Sequence, residues 1–239
     1  MSVDDPTAGS TTATEPVRRR DLAVARSLDS ARLRSEGRVQ RFLDAGFELL
    51  NRAESGKEFT VQEVVDRSGQ SLRSFYQYFA GKHELLLALF DEAILSTADR
   101  LEEQITRQST PLERLHSFVV EYYRMCLPAP KGRPSKNNPT PVMAEFCHQL
   151  LTAHQTEASR AFVPLVTLLE NVLDEAAEAG DIGSGLDHAQ VAGVILSTIM
   201  FNAAYAQTIS GNEEPPDGDH AAAQLWAFLS DGIVTSRPA

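Results

Sequence analysis

Cysteine is scarce in this chain, with only Cys126 and Cys147 among its 239 residues. Two cysteines cannot build a disulfide framework, and no spacing of cysteine and histidine has the pattern of a zinc motif. The first residues also lack the apolar stretch of a secretion signal. The sequence therefore predicts a protein of the reducing cytoplasm, with no cofactor and no metal site.

Motifs of catalysis are missing as well. The chain has no glycine-rich phosphate loop, no Gly-x-Ser-x-Gly and no His-Glu-x-x-His, so we expect that it is not an enzyme. Its longest uncharged run, residues 189–212, has the length of a membrane span. Polar residues such as Gln190, Asn202 and Gln207 interrupt this run. It is therefore interpreted as a helix buried on both sides, and we expect no membrane association.

The chain has an excess of acidic residues, with a net charge of −11, but the two signs are unevenly distributed. Residues 1–82 contain 13 Lys+Arg and 12 Asp+Glu, a net charge of +1. Residues 83–239 contain the remaining 9 and 21, a net charge of −12. Residues 18–41 contain eight arginines and three acidic residues. A basic DNA-contacting region on an acidic body would have this distribution.

Residues 60–79 predict two short helices separated by a tight turn. Thr60 and Glu63 have the spacing of a capping box, and Gly69 ends the first helix because glycine adopts left-handed backbone easily. Ser71 can cap the second helix. That helix is expected to bury Leu72, Phe75 and Phe79 and to expose Arg73, Ser74, Tyr76 and Gln77. The pattern indicates a helix-turn-helix, whose second helix enters the major groove of DNA.

The stretch Phe75–Leu86, FYQYFAGKHELL, resembles the hallmark of the TetR/AcrR family of transcriptional regulators. The motif match covers about residues 38–95, and the rest resembles the family in layout only. The family usually has an apolar residue at the position of Gln70 and a small one at that of Arg73. The resemblance implies an all-α fold, with an N-terminal three-helix helix-turn-helix DNA-binding domain and a helical ligand-binding and dimerisation domain.

The domain organisation follows from composition and helical periodicity. We expect a disordered, basic N-terminal arm over residues 1–34, the helix-turn-helix domain over 35–90, and the effector-binding and dimerisation domain over 91–239. Outside the helix-turn-helix, a Pro-rich surface loop is predicted at 128–141, with a helix break or kink at Pro164. Helices are predicted at about 38–53, 82–108, 111–127, 142–161, 164–179, 189–212 and 220–235.

Several side chains are candidates for contacting DNA. Arg73 can read guanine, Gln77 can read adenine, and Leu72 can meet a thymine methyl group. The family resemblance implies that Thr60, Tyr76 and Lys82 hold phosphates, although Tyr76 can also be a structural aromatic. The basic triplet at 18–20 is either a solvated segment or an arm that reaches DNA. The predicted DNA-binding residues are Thr60, Ser71, Leu72, Arg73, Ser74, Tyr76, Gln77, Lys82, Arg18, Arg19 and Arg20.

A second set of residues is a candidate binding site for a small molecule. Apolar walls with a few polar groups are typical of such sites, although the same pattern also describes ordinary hydrophobic core. The predicted ligand-binding residues are Phe118, Tyr122, Met125, Met143, Phe146, Cys147, His154, Phe162, Met200 and Phe201.

Together these patterns predict a homodimeric repressor that binds double-stranded DNA at a palindromic operator and is released by a small apolar effector. The alternative is a DNA-binding protein whose body binds a protein partner, through the loop at 128–141. The dimer seam is expected on the last two long helices, unless these form an ordinary core pair. Its predicted residues are Ala192, Gly193, Ala203 and Ala204, with Ile195, Ile199, Trp226 and Leu229 filling the seam.

Overall fold

The computed structural model describes residues 19–52, 59–127, 141–210 and 217–234. These residues form nine α-helices and no β-strand, apart from an isolated antiparallel bridge between Ile182 and Val234. The predicted all-α fold is confirmed. The helices are α1 (Arg19–Arg52), α2 (Val61–Ser68), α3 (Leu72–Tyr78), α4 (Lys82–Ile105), α5 (Pro111–Cys126), α6 (Pro141–Ala153), α7 (Gln155–Glu178), α8 (His188–Ser210) and α9 (Gly218–Ile233).

The chain divides into two compact units at residues 41 and 42, within α1. In the first unit, α1 begins at Arg19 rather than near residue 38, so the segment 19–34, expected to belong to a disordered arm, is helical. Its described apolar side chains are exposed, which leaves no buried face for periodicity to detect. The helix is stabilised locally, because Nε of Arg32 donates to Oε1 of Glu36 at 2.6 Å.

The second unit begins with the helix-turn-helix, whose predicted caps are confirmed. Oγ1 of Thr60 accepts from the backbone N–H of Glu63, and Oε2 of Glu63 accepts from the N–H of Thr60 at 2.7 Å. Gly69 has a φ of 65°, the left-handed conformation that ends α2. Oγ of Ser71 accepts from the N–H of Ser74 and starts α3.

An aromatic cluster fixes α3 against the end of α1. The ring of Phe42 lies edge-on to Phe75 and to Phe79, with centroid distances of 5.4 and 6.1 Å. The part of α1 within this unit also approaches α4 closely, because a Cβ on Gly46 would lie 2.8 Å from Cδ1 of Leu89. Glycine at this position therefore lets α1 pack on α4, directly behind the helix-turn-helix.

The body is a layered helical bundle around α5. This helix packs against α4, α7, α8 and α9, and α7 also packs against α4, α6 and α8. The predicted capping box of α5 is confirmed, since Oγ1 of Thr110 accepts from the N–H of Glu113 and the carboxylate accepts in return. No helix among the described residues is long and apolar enough to cross a membrane.

The break between α6 and α7 differs from the prediction. The sequence placed it at Pro164, whereas α6 ends at Ala153, His154 caps α7, and Pro164 lies inside α7. A proline inside a helix removes one backbone hydrogen bond and crowds the preceding turn, but the buried face of α7 continues on both sides of Pro164, from Ala161 to Leu165. Packing on α4 and α5 therefore outweighs the local cost of the proline.

The predicted dimer seam needs a correction. Three of its four large residues are buried within a single chain, because Ile195, Ile199 and Leu229 are at most 9% exposed. The ring of Trp226 contacts His116 of α5, with centroids 5.0 Å apart. These residues belong to the core between α5, α8 and α9. The uncharged composition of α8 predicted burial, but it did not distinguish an inner face from an outer one.

Candidate nucleic-acid interface and ligand site

The outer surface of α3 presents three side chains suited to DNA. Arg73 and Gln77 are both exposed and lie four residues apart, which places them on one face of the helix. Tyr76 is 56% exposed, and its ring lies edge-on to the buried ring of Phe75 at 5.4 Å. The predicted pattern of an aromatic inner face and a polar outer face is therefore present in α3.

Leu72 is more exposed than expected, and this exposure agrees with its predicted contact with DNA. It was expected to be buried with Phe75 and Phe79, but it is 43% exposed. The cluster of aromatic rings fills the core beneath α3, and Leu72 lies one turn before it. An exposed leucine in the first turn of α3 is free to meet a thymine methyl group.

The two serines of α3 have different environments. Ser71 is exposed and its hydroxyl is occupied by capping the helix. Oγ of Ser74 is buried, and no hydrogen-bond partner for it lies among the described residues. Ser71 is therefore part of the scaffold of α3 and remains accessible to a phosphate, whereas Ser74 faces inward.

The residues expected to hold phosphates lie at the ends of helices. Thr60 is exposed at the start of α2, where its hydroxyl caps the helix. Nζ of Lys82 lies 5.1 Å from the centroid of the Phe59 ring, a cation–π contact at the start of α4. Arg18 lies outside the described residues, as do the side chains of Arg19 and Arg20.

The structure brings together part of the predicted ligand set. Phe90, which the sequence analysis did not select for the set, lies between Phe146 and Phe162, with centroid distances of 6.2 and 5.6 Å. On α5, the rings of Phe118 and Tyr122 lie 5.9 Å apart. Five of the predicted residues are buried, namely Phe118, Tyr122, Met143, Phe146 and Phe162.

Two thiols lie beside this aromatic set. Burial raises the pKa of the Tyr122 hydroxyl well above its usual value, and the thiol of Cys126 is its hydrogen-bond partner. Burial also raises the pKa of Cys126 to about 12 and that of Cys147 to about 11. Both cysteines are therefore protonated at neutral pH and behave as small apolar side chains. Cys126 was missed in the sequence, although it lies four residues after Tyr122.

Other predicted ligand residues do not join the buried set. Phe201 is 56% exposed, and its ring lies against Tyr205 at 5.0 Å. Met125 and Met200 are partly exposed. His154 is half-exposed at the junction of α6 and α7, where its ring lies 5.0 Å from that of His83.

One polar pair beside the apolar set is joined by a hydrogen bond, and an open cleft lies elsewhere. The hydroxyl of Tyr123 donates to Oδ1 of Asn202 at 3.1 Å, which links α5 to α8. An open cleft of about 650 Å³ follows the start of α7. Its lining is mostly polar and comprises Thr152, Ala153, His154, Gln155, Thr156, Glu157 and Arg160.

The chain is similar to known regulators. Residues 42–89 match the family model of bacterial regulatory proteins, tetR family. The fatty acid metabolism regulator protein of Bacillus subtilis is 23% identical over 163 residues, which cover 68% of this chain and 79% of that protein.

Two solved structures share the fold. The transcriptional regulator FadR from Bacillus subtilis, in complex with stearoyl-CoA, aligns with a TM-score of 0.56 and 18% identity, over 81% of this chain and 98% of that one. A TetR/AcrR-family regulator from Thermobifida fusca aligns with a TM-score of 0.58 and 16% identity, over 82% and 98%. Residues 42–89 therefore carry the DNA-binding domain of the tetR family of bacterial regulatory proteins, and the chain shares the all-α fold of a solved TetR/AcrR-family regulator.

Proposed function

We propose that the protein is a homodimeric repressor, which binds a palindromic operator through α3 and is released from it by a small apolar effector. The observation that carries the proposal is the surface of α3, where Arg73, Tyr76 and Gln77 are exposed above the buried Phe75 and Phe79. A short helix fixed from beneath by aromatic rings can present its outer side chains rigidly to base edges.

Base recognition rests on few contacts. The guanidinium of Arg73 can donate to O6 and N7 of guanine, and the amide of Gln77 can pair with adenine. Thr60, Ser71, Tyr76 and Lys82 surround these two residues in the sequence and supply the phosphate contacts that fix the register. The domain organisation we propose is a DNA-binding domain over residues 35–90, with the boundary to the effector domain inside α4.

The dimer is supported by an exposed apolar face on α8 and α9. We call this face the α8–α9 face, and it comprises Gly193, Val194, Ser197, Phe201, Ala204 and Tyr205 on α8 with Ala227 and Phe228 on α9. The α8 residues recur at helical spacing, and Phe228 is 75% exposed. A second copy would cover these residues about a two-fold axis, and two α3 helices could then read half-sites roughly 34 Å apart.

The effector is expected to act through α4. Three residues separate the end of α3 from the start of α4, and the later turns of α4 pack against α5 and α7 beside Phe90, Phe146 and Phe162. A ligand that separates these rings would tilt α4, and it releases DNA only if it binds the tilted state more tightly. Because FadR was solved with stearoyl-CoA, long-chain acyl-CoA is the first effector class to test.

The effector proposal is tested by titrating stearoyl-CoA into the protein–operator complex. We expect the acyl compound to release the operator and free CoA to leave it bound. Phe146→Trp should abolish the release while operator binding persists, because the larger ring occupies the position that the effector would take beside Phe90. Leu151→Trp, at an exposed position of α6, is the matched control. If Phe146→Trp responds as wild type does, the effector site lies elsewhere.

A body that binds a protein partner is the second candidate function. It is favoured by the close packing of the apolar set, in which Met143, Phe146 and Phe162 are each at most 9% exposed. Loop residues 128–140, which were expected to bind the partner, lie outside the described residues. Release of the operator by purified effector alone would argue against this candidate. Release only after a lysate protein is added back would support it.

A further inference from the structure

Three potential metal ligands from two distant parts of the sequence meet at the start of α7. His83 is the second residue of α4, His154 caps α7, and Glu157 lies in the first turn of α7. Nδ1 of His154 lies 3.0 Å from Oε2 of Glu157, and Nε2 of His83 lies 3.9 Å from the same oxygen. All three ligand atoms lie within 4.8 Å of one another.

The carboxylate oxygen of Glu157 lies within ion-pair distance of both imidazoles, but no hydrogen bond joins it to either one. Oε2 of Glu157 is buried from solvent, yet no hydrogen-bond partner for it lies among the described residues. Its 3.0 Å approach to His154 therefore lacks the direction that a hydrogen bond requires. A buried carboxylate oxygen without a hydrogen bond is costly, and a bound cation would remove that cost.

We propose that Nε2 of His83, Nδ1 of His154 and Oε2 of Glu157 bind a divalent metal ion of the zinc type. Two imidazoles and one carboxylate are a known ligand set for zinc, with ligand bonds of about 2.0–2.2 Å. Two ligand atoms on one tetrahedral ion are then about 3.4 Å apart, and the observed 3.0 and 3.9 Å lie on either side of this value. The open cleft lined by His154 and Glu157 supplies access and a fourth position for water.

Backbone hydrogen bonds and a ring contact hold the scaffold around the three side chains. The N–H of His154 donates to the carbonyl of Leu150, and its own carbonyl accepts from the N–H groups of Glu157 and Ala158. The ring of His83 packs edge-on against Phe146 at 5.6 Å. Both helix ends carry partial positive charge, which the carboxylate of Glu157 offsets. Binding therefore requires small side-chain rotations rather than a rearrangement of the backbone.

Such an ion would connect α4 to α7 at the end of α4 that is nearest to the recognition helix. His83 lies five residues after Tyr78, the last residue of α3. An ion shared with α7 would limit the tilt of α4, and would thereby favour one position of α3. This consequence rests on the proposed DNA-binding function, whereas the metal site itself does not.

The site is tested by calorimetric titration of Zn²⁺ into metal-free, full-length protein, without DNA. We expect one ion per chain, and His83→Gln and Glu157→Gln should each weaken its binding at least tenfold. His148→Gln, at an exposed histidine of α6, is the matched control and should bind as wild type does. Thermal unfolding of each variant without metal checks that it is folded. Equal Zn²⁺ affinity in wild type and His83→Gln would overturn the site.

A second measurement reports the coordination geometry of the metal ion. A third measurement reports whether metal binding changes the affinity for DNA. Co²⁺ in place of Zn²⁺ should give the intense visible absorption of a tetrahedral site in wild type, and it should lose that absorption in Glu157→Gln. The weak absorption of octahedral Co²⁺ in wild type would contradict the proposed geometry. Operator affinity is then measured with and without Zn²⁺. If the ion binds but the affinity stays constant, the site stands and its regulatory role fails.

Discussion

Arg73 is the side chain in α3 with the greatest capacity to discriminate between bases. It is exposed, and its fork of donors matches guanine. The family usually has a small residue at this position, so the operator is expected to differ from those of its relatives at the base pair that Arg73 contacts.

Replacing Arg73 by alanine should lower discrimination at one base pair of each half-site by about 1–3 kcal/mol. The loss arises because the two donors to guanine disappear while the phosphate contacts remain. Arg107→Ala, at an exposed position in the turn that follows α4, is the matched control. Binding to a panel of single-base operator variants is the measurement. Identical base preferences in wild type and Arg73→Ala would contradict the role of this residue.

The two cysteines should be slow to react in the folded protein. With a pKa of about 12 for Cys126 and about 11 for Cys147, very little thiolate is present at pH 8. Relative to a thiol of pKa 9, the thiolate fraction falls roughly a thousandfold and a hundredfold. Alkylation by iodoacetamide, followed by mass spectrometry, should be slow in native protein and rapid in urea. Equal rates would show that the thiols are not enclosed.

Among the elements, α5 offers a test of how capping stabilises the body. Hydrogen bonds from the N–H and hydroxyl of Thr110 lower the pKa of the Glu113 carboxyl below its usual value. A carboxyl whose folded pKa is lowered stabilises the fold at pH values above its unfolded pKa, and this contribution is lost as the pH falls through the folded pKa.

Thr110→Ala should therefore lower the free energy of unfolding by about 1 kcal/mol at pH 7. The loss should be smaller at pH 3, because lowering the pH protonates Glu113 and weakens the hydrogen bonds that its carboxylate accepts from Thr110. Urea denaturation at the two pH values measures both effects. Thr106→Ala, just beyond the end of α4, is the control at an exposed threonine. If Thr110→Ala lowers the free energy of unfolding equally at pH 3 and pH 7, the carboxylate of Glu113 does not contribute to the stability of the cap.

The helices also show which structural features the sequence alone could predict. Caps are local, so Thr60, Ser71 and Thr110 were predicted together with the helices they begin. The break at His154 was missed because it depends on packing along α7, which overrides the proline at 164. The start of α1 was missed because its first half lacks a buried face.

In the candidate sites too, local contacts were predictable from the sequence and contacts between distant residues were not. Contacts within α3 were predictable, since they depend on positions a few residues apart. The pairing of His83 with Glu157 was not, because these residues are distant in the sequence and match no metal motif. Similarly, the outer face of α8 could not be recognised from composition, since both its faces are uncharged.

For the whole molecule, the position of the apolar surface leads to opposite expectations for two neighbouring residues of α9. Phe228 is 75% exposed, whereas Leu229 is 9% exposed. Phe228→Glu should yield a folded monomer, because it places a charge in the proposed interface. Leu229→Glu should instead unfold the chain, because the charge enters the core. Val163→Glu, at an exposed apolar position of α7, should remain dimeric and folded.

Sedimentation analysis and thermal unfolding separate these outcomes. Wild type should sediment as a dimer at micromolar concentration, and Phe228→Glu as a monomer with a thermal midpoint that no longer rises with concentration. The monomer should also lose most of its operator affinity, although its α3 helix is intact. A dimeric Phe228→Glu would exclude the α8–α9 face as the interface.

The central claim is that two copies of this chain read a symmetric DNA sequence through α3. It is tested most directly by sequencing the genomic fragments that full-length protein retains at moderate salt. We expect one enriched sequence with two-fold symmetry, with half-sites about ten base pairs apart and a changed preference at one position for Arg73→Ala. Retention of fragments without any shared sequence, or an unchanged preference for Arg73→Ala, would contradict the account.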